Sequence, residues 1–369
     1  MESTIRRGCD TSYRPAVPSL VPGITAQDLL TPQWLGDALN LPVVSVELAS
    51  VGTGQIGDCQ RVRLTYGQEC DGPDSVVAKI PSQDPTSRNA GVALGTYRKE
   101  TSFYRELRDR LPVRAPLCHY VDFDEATSEF VLLLEDLAPA VQGDQITGCT
   151  PDQASLAVLQ LPNLHVPMWG DPKLAETPWL TGGYGENPDM TGQFLGMLFQ
   201  GFTERYSDRI DDDVMALAQR MLSKLVQMYD LGDRPKTVQH SDYRLENMLF
   251  GTAEGGPPIA IVDWQTVANG YGVADLAYFI GAGLTTEERR VHEEDLVRAY
   301  QEAMVAAGVE LAWDECWWQY RRHTTSGLVM AIGASQVVGQ TDRGDDMFVT
   351  MAQRHGRHAL DLEFEDTLG

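Results

Sequence analysis

The chain has 369 residues, 43% hydrophobic and 22% charged, a composition that sets aside a disulfide-stapled miniprotein, a fibrous protein and a disordered one. Its 29 Lys and Arg stand against 53 Asp and Glu, a net charge of -24, which argues against nucleic acid and anionic membrane surfaces as partners, since both demand a surplus of cations. No apolar run approaches the ~20 residues of a membrane span. Arg6 and Arg7 lead into Gly-Cys-Asp and not into an apolar stretch, so no secretory signal is expected. The six cysteines (Cys9, Cys59, Cys70, Cys118, Cys149, Cys316) form no Cys-x-x-Cys pair and fit the reduced thiols of a cytoplasmic protein.

Residues 1–24, with Pro15, Pro18 and Pro22, read as an extended lead-in. Thr31 as N-cap, Pro32 at the first helical position, and Trp34, Leu35 and Leu39 predict a short helix. From Val43 the period becomes two. Val44, Val46 and Leu48 alternate with polar or small residues, and after a glycine-rich turn so do Val62, Leu64 and Tyr66. A third strand, 76–80, is apolar except for Lys79. A helix is expected over 93–111 and a buried strand over 129–134. Beyond Pro139, apolar spacing of three and four predicts helices over 152–161, 191–206, 214–230, 286–307, 313–332 and 345–362. The only strands expected there are 247–250 and 259–263, a hairpin across Gly251, Gly255 and Gly256. The chain thus divides into an extension with a short helix (1–40), a strand-rich lobe (41–134), a connection (135–139) and a larger helical lobe (140–369), with no internal repeat.

Gly52-Thr53-Gly54-Gln55-Ile56-Gly57 fits G-x-G-x-x-G. A dinucleotide loop must open into a helix whose N-terminus holds the pyrophosphate. A strand follows Gly57 instead, which disfavours a hydride-transfer enzyme and suits a glycine flap over the phosphates of ATP; a plain hairpin turn is the structural alternative. Lys79, one of only five lysines, sits in a strand otherwise buried, where an ammonium needs an anion. Glu100 shares a helical stripe with Phe103, Tyr104, Leu107 and Leu111, so its carboxylate lies on an apolar face and needs a cation. A strand lysine held by a helix glutamate orients an ammonium toward the α- and β-phosphates. The plainer readings are an edge-strand lysine reaching water and a glutamate paired with Arg98 or Arg105.

His240-Ser241-Asp242-Tyr243-Arg244-Leu245-Glu246-Asn247 fits H-x-D-x-x-x-x-N, and sixteen residues after Asn247, Asp263 follows the apolar run 259–262. In phosphoryl transfer the protein mostly positions groups and neutralises charge. Asp242 would accept the proton of an acceptor hydroxyl, and Asn247 and Asp263 would offer oxygens to Mg2+. His240 would brace the loop, while Tyr243 and Arg244 would touch substrate or pack.

With these motifs, and with Gly95-Thr-Tyr-Arg-Lys-Glu, Leu164-His-Val-Pro-Met-Trp-Gly, Val273-Ala-Asp-Leu-Ala-Tyr and Arg343-Gly-Asp-Asp-Met-Phe, the chain resembles the aminoglycoside phosphotransferase and choline kinase superfamily, and within it the ecdysteroid-kinase-like branch. The resemblance implies a bilobal, protein-kinase-like α+β fold, ATP and Mg2+ as cofactors, and Glu135 to Leu137 as the adenine-contacting hinge. It departs at Ser241, where the family commonly has Gly. The short interval from Asp263 to Asp275 leaves no room for a phosphorylatable activation segment, so a small-molecule kinase is expected, and Asp275 reads as a helix cap that braces the catalytic loop. Met168, Trp169, Trp179, Tyr184, Met190, Phe194 and Phe199 point to core or, where some line a pocket, to a hydroxylated apolar acceptor, sterol-like or hydroxyacyl. Trp169 is the candidate substrate contact among them. A cationic sugar, drawn by Asp208, Asp211, Asp212 and Asp213, and a silent nucleotide-binding module are the alternatives; a solvated helix start explains the aspartates more simply. His165 reads as a helix-end histidine, and His355 and His358 lack a third metal ligand. Oligomeric state is not legible.

Overall fold

The structure, a computed structural model, describes residues 20, 23, 25–52, 56–181 and 188–368. It divides into two compact units: the chain up to Arg88 with Leu117–Asp136, and Asn89–Pro116 with Leu137–Gly369.

The first unit opens with α1 (Ala26–Leu29) and α2 (Pro32–Leu39). The Thr31 hydroxyl accepts the Trp34 amide, and the chain leaves α2 through Asn40 in the left-handed region. Five strands follow, β1 (Val43–Ser50), β2 (Gly57–Tyr66), β3 (Ser75–Pro81), β4 (Cys118–Phe123) and β5 (Phe130–Glu135), in the order β1-β2-β3-β5-β4 with every neighbouring pair antiparallel. Trp34 and Leu35 pack with Val62, Leu64, Val76, Ala78, Ile80, Val131 and Leu133 into its core. Val44, expected to point inward, is exposed: the β1/β2 register shifts between Val43 and Ser45, and the extra residue of that bulge leaves the alternation. β4, which the apolar pattern does not announce, is an edge strand with a single buried residue, Tyr120.

In α3 (Pro85–Ala93) the chain passes from the first unit to the second. The helix expected over 93–111 is in fact three pieces after a left-handed break at Gly95: α4 (Thr96–Ser102), a π turn over Phe103–Leu107 and a 3-10 turn over Arg108–Arg110. Its stripe of Glu100, Phe103, Tyr104, Leu107 and Leu111 is buried as expected. The remaining helices are α5 (Pro151–Val158), α6 (Leu161–His165), α7 (Pro188–Tyr206), α8 (Asp212–Leu222), α9 (Leu225–Tyr229), α10 (Gly272–Gly283), α11 (Thr286–Ala306), α12 (Trp313–Arg322), α13 (Ser326–Val337) and α14 (Asp342–Asp361). Two helices expected to be continuous are broken, one at Ser223–Lys224 and one at His323–Thr325. In each break a hydroxyl takes a carbonyl of the preceding turn, Ser223 that of Arg220 (2.7 Å) and Thr324 that of Arg321 (2.8 Å).

β8 (Met248–Thr252) and β9 (Gly255–Ile261) form the expected hairpin, joined by β6 (Val141–Gln142). β7 (Thr237–Gln239) and β10 (Ala268–Gly270) form a second, unforeseen pair. Residues from α7, α8, α13 and α14, among them Phe202, Leu217, Leu328 and Met351, make an apolar cluster in this unit, and every residue of α10 is buried. The architecture is the expected α+β one, an N-terminal antiparallel sheet followed by a larger helical part. Among the described residues no helix is long and apolar enough to cross a membrane.

Candidate active site

The segment expected to be the catalytic loop runs from β7 into β8. Asp275, completely buried in the first turn of α10, accepts the His240 amide with Oδ2 (2.7 Å) and the Ser241 amide with Oδ1 (2.9 Å). The helix starts at Gly272 with Tyr271 as N-cap, so Asp275 does not cap it as expected; its carboxylate is used on the loop. Behind it, His165 places Nε2 3.4 Å from Asp275 Oδ2 and Nδ1 2.9 Å from the Tyr300 hydroxyl. His165 is therefore a fully buried strut. His240 accepts the Asp242 amide at Nδ1 (3.3 Å) and reaches the Val262 carbonyl from Nε2 (3.1 Å), which puts its ring proton on Nε2. Ser241 has φ +67°, a conformation in which glycine is at ease and serine is strained.

This bracing presents Asp242 with defined partners. Oδ1 accepts the Tyr278 hydroxyl (2.8 Å); Oδ2 accepts Asn247 Nδ2 (2.9 Å) and Arg244 Nε (3.1 Å). Asn247 gives its second amide hydrogen to the Asp242 carbonyl (2.8 Å), which leaves its oxygen for a hard cation. Burial opposes the charge of Arg244, but Asp242, Tyr278, Glu246 and Asp263 outweigh it and raise its pKa above the ordinary arginine value. Ion pairs continue outward from Arg244 to Glu246 (3.3 Å), Arg343 (2.6 Å from Glu246) and Asp144 (3.5 Å from Arg343). Gln145 fixes the loop from a third side, its carbonyl accepting the Leu245 amide (3.0 Å) and its amide donating to Ala282 (2.8 Å).

Asp263 follows β9 with φ +65°, after the Val262 amide has bonded the Asn247 carbonyl (2.9 Å). Two strained non-glycine residues thus occur in the catalytic loop and at the expected metal position. Trp264 is completely buried, stacked on Phe103 with centroids 3.9 Å apart and leaning on His240 at 4.7 Å, so the segment carrying Glu100 is anchored directly to this loop. Among the described residues no three His, Cys, Asp or Glu cluster as a metal cage. Asn247 and Asp263 instead fit Mg2+ of the kinase type, which takes one or two protein oxygens and completes its shell from phosphates and water.

In the first unit Lys79 lies in β3 opposite Cys59 of β2 and Leu132 of β5, and is 8% exposed. A Cβ on Gly57 would stand 3.2 Å from Lys79 Cε, so the glycine gives the lysine stem its room. Gly52 turns with φ +77°, and Gly54 lies outside the described residues. Glu135 ends β5 and accepts the Leu117 amide (3.0 Å); next to it Asp136 takes Arg61 Nε (2.7 Å) and the Ser75 hydroxyl (2.7 Å). In the second unit Leu137 is buried and its carbonyl accepts the Ala140 amide (2.9 Å), while Glu100 is 1% exposed on α4.

Other expected contacts resolve differently. Tyr243 is fully buried, its hydroxyl donates to Ala157 (2.8 Å), and burial raises its pKa well above the usual phenol value; it packs the loop and is not placed to touch a substrate. Trp169 is half-buried, just ahead of the bond from the Gly170 amide to Lys236 (2.7 Å). Met168 and Trp179 are buried, Phe199 packs on the apolar cluster, and Met190 and Phe194 are exposed on α7; Tyr184 lies outside the described residues. Asp211 and Asp213 pair with Arg357 at the start of α8, as a solvated helix start would. His355 and His358 are buried between α14 and the rings of Tyr278 and Tyr320. Tyr278, Glu246, Arg343, Gln145 and His165 are the loop partners given no such role from the sequence, although all but Gln145 stand inside the quoted segments.

Residues 185–312, which span the loop and Asp263, match the ecdysteroid kinase-like family. Of solved structures, the ethanolamine kinase of Plasmodium vivax aligns with a TM-score of 0.53 at 12% identity, over 84% of this chain and 81% of its own. The choline kinase of Cryptosporidium parvum Iowa II aligns at 0.53 and 12%, over 87% and 89%. A candidate aminoglycoside phosphotransferase of Ralstonia eutropha JMP134 aligns at 0.52 and 15%, over 89% and 97%. No curated protein matches by sequence. The chain shares its fold with these three proteins and, over 185–312, is similar to the ecdysteroid kinase-like family.

Proposed function

We propose that the protein is a small-molecule kinase, transferring the γ-phosphate of ATP to a substrate hydroxyl with Asp242 as the proton acceptor. The observation that carries this reading is the held carboxylate: Asp242 is fixed at both oxygens, in a loop whose backbone Asp275 ties down and whose Asn247 keeps its oxygen for a cation. A silent nucleotide-binding module has no need of such a base beside two oxygen donors. Asn247 and Asp263 would hold Mg2+, which when bound neutralises phosphate charge. Lys79, given room by Gly57, would hold the phosphates, Glu100 would orient its ammonium, and Gly52 and Gly54 would belong to the flap over them. Glu135 and Leu137 would contact the adenine. Asp242 orients the acceptor hydroxyl and takes its proton, while His240 and Asp275 keep that carboxylate in place.

The acceptor is proposed to be a hydroxylated apolar compound, sterol-like or hydroxyacyl. The family match supports this over a cationic sugar. A transfer screen with Mg2+-ATP across sterols, hydroxyacyl thioesters, choline and aminoglycosides tests the class. Phosphate should appear on an apolar alcohol; turnover confined to the aminoglycosides would replace this acceptor assignment.

A further inference from the structure

We infer that Tyr278 is a positioning residue for the proposed transfer, and that the acceptor hydroxyl is received at Oδ1 of Asp242 and not at Oδ2. The inference rests on the kinase reading above, and on the hydrogen bonds around one carboxylate. An ionised carboxylate only accepts, with about two sites on each oxygen. Oδ2 already takes two donors, Asn247 Nδ2 and Arg244 Nε, whereas Oδ1 takes one, the Tyr278 hydroxyl. One acceptor site is left on Oδ1, beside the phenol. A hydroxyl bound there gives its proton to Oδ1 as its oxygen forms the new bond to phosphorus; the bond from phosphorus to the β,γ-bridging oxygen breaks, and ADP leaves.

Tyr278 is built to hold this geometry. It is buried on α10, and its ring packs against His355 of α14 at 5.4 Å. Gly281 and Gly327 admit that imidazole, since a Cβ on either would collide with the His355 ring. Arg244 lies beside the pair, with Glu246 and Asp263 acting on its guanidinium, and His355 packs on the phenol ring. Without the phenol, Oδ1 has no fixed neighbour, and the carboxylate pivots about its Oδ2 bonds.

The test is a double-mutant cycle on Mg2+-ATP turnover with water as acceptor, using Tyr278→Phe, Asp242→Asn and both together. Tyr278→Phe should lower kcat by about 10- to 100-fold, the effect of losing one hydrogen bond to a charged group, with KM for Mg2+-ATP unchanged. In the Asp242→Asn background the same substitution should do nothing further, because Tyr278 acts through that carboxylate. Equal kcat for Tyr278→Phe and wild type, or additive losses, would overturn the inference while Asp242 dependence kept the kinase reading intact. Equal turnover for wild type and Asp242→Asn would remove that reading and this inference with it. A readout free of turnover comes from protein labelled with 13C at tyrosine Cζ: the Tyr278 resonance should move on Asp242→Asn, and a stationary resonance would refute the hydrogen bond.

Discussion

Asp275 holds two consecutive backbone amides with separate oxygens while wholly buried, so its removal leaves three groups, His240 N, Ser241 N and the His165 ring, without an acceptor. Asp275→Ala should cost about 3 kcal/mol, the combined effect of lost charge-assisted bonds and stranded amides, and should abolish turnover. Urea unfolding checks it; a loss below about 0.5 kcal/mol would contradict the brace. Ser241 offers the complementary case. At φ +67°, Ser241→Gly should remain active with stability within about 1 kcal/mol of wild type, whereas the β-branched Ser241→Val should lose about 2 kcal/mol in the same assay. Motif spacing singles out Asp242, Asn247 and Asp263, because they lie on one short stretch of chain, and Asp275 lies in a segment singled out for its resemblance. Tyr278 and Arg343 reach the loop from 36 and 97 residues away, and His165 from 110 residues before Asp275; no local pattern marks such partners.

The elements around the site are held by close packing of α10, α13 and α14. Gly327 on α13 touches the His355 ring so closely that a methyl group there must displace it, and this ring packs against Tyr278. Gly327→Ala should therefore cost about 2 kcal/mol by overpacking and also depress turnover, as thermal unfolding and ATP hydrolysis would show together. The same layer buries histidines: burial lowers the pKa of His323 to about 4 and of His355 to about 3. Each therefore takes up a proton more readily in the unfolded chain, whose histidine pKa is about 6.5. Their stabilising contribution is complete above that pH and is lost as pH falls toward 4 and 3, at about 1 kcal/mol per pH unit for each. Thermal melts from pH 7 to pH 4 should fall accordingly, and His355→Gln should flatten the slope. Long periodic helices and the β2 and β3 strands are legible in the sequence, since burial imposes their period. β6, β7 and β10, two or three residues each, are too short to carry one, and the two helix breaks depend on hydroxyl-to-carbonyl bonds that apolar spacing does not register.

For the whole molecule, a net charge of -24 is a repulsive background for a nucleotide anion, and local cations such as Lys79 must offset it. Association with Mg2+-ATP should consequently speed up as salt rises from low concentration to about 0.15 M, where screening acts over ~8 Å. Stopped-flow binding reads this, and slowing with salt would show that attraction dominates instead. Of the two compact units, the first carries Lys79 in its sheet and the second carries the Asp242 loop. The proposed phosphoryl transfer is decided by following γ-phosphate by 31P NMR in Mg2+-ATP with an acceptor from the alcohol panel, for wild type and Asp242→Asn. Wild type should form a phosphate ester, at a rate about 100- to 10,000-fold above that of Asp242→Asn. Equal rates in the two proteins, or no ester on any alcohol, would contradict a kinase.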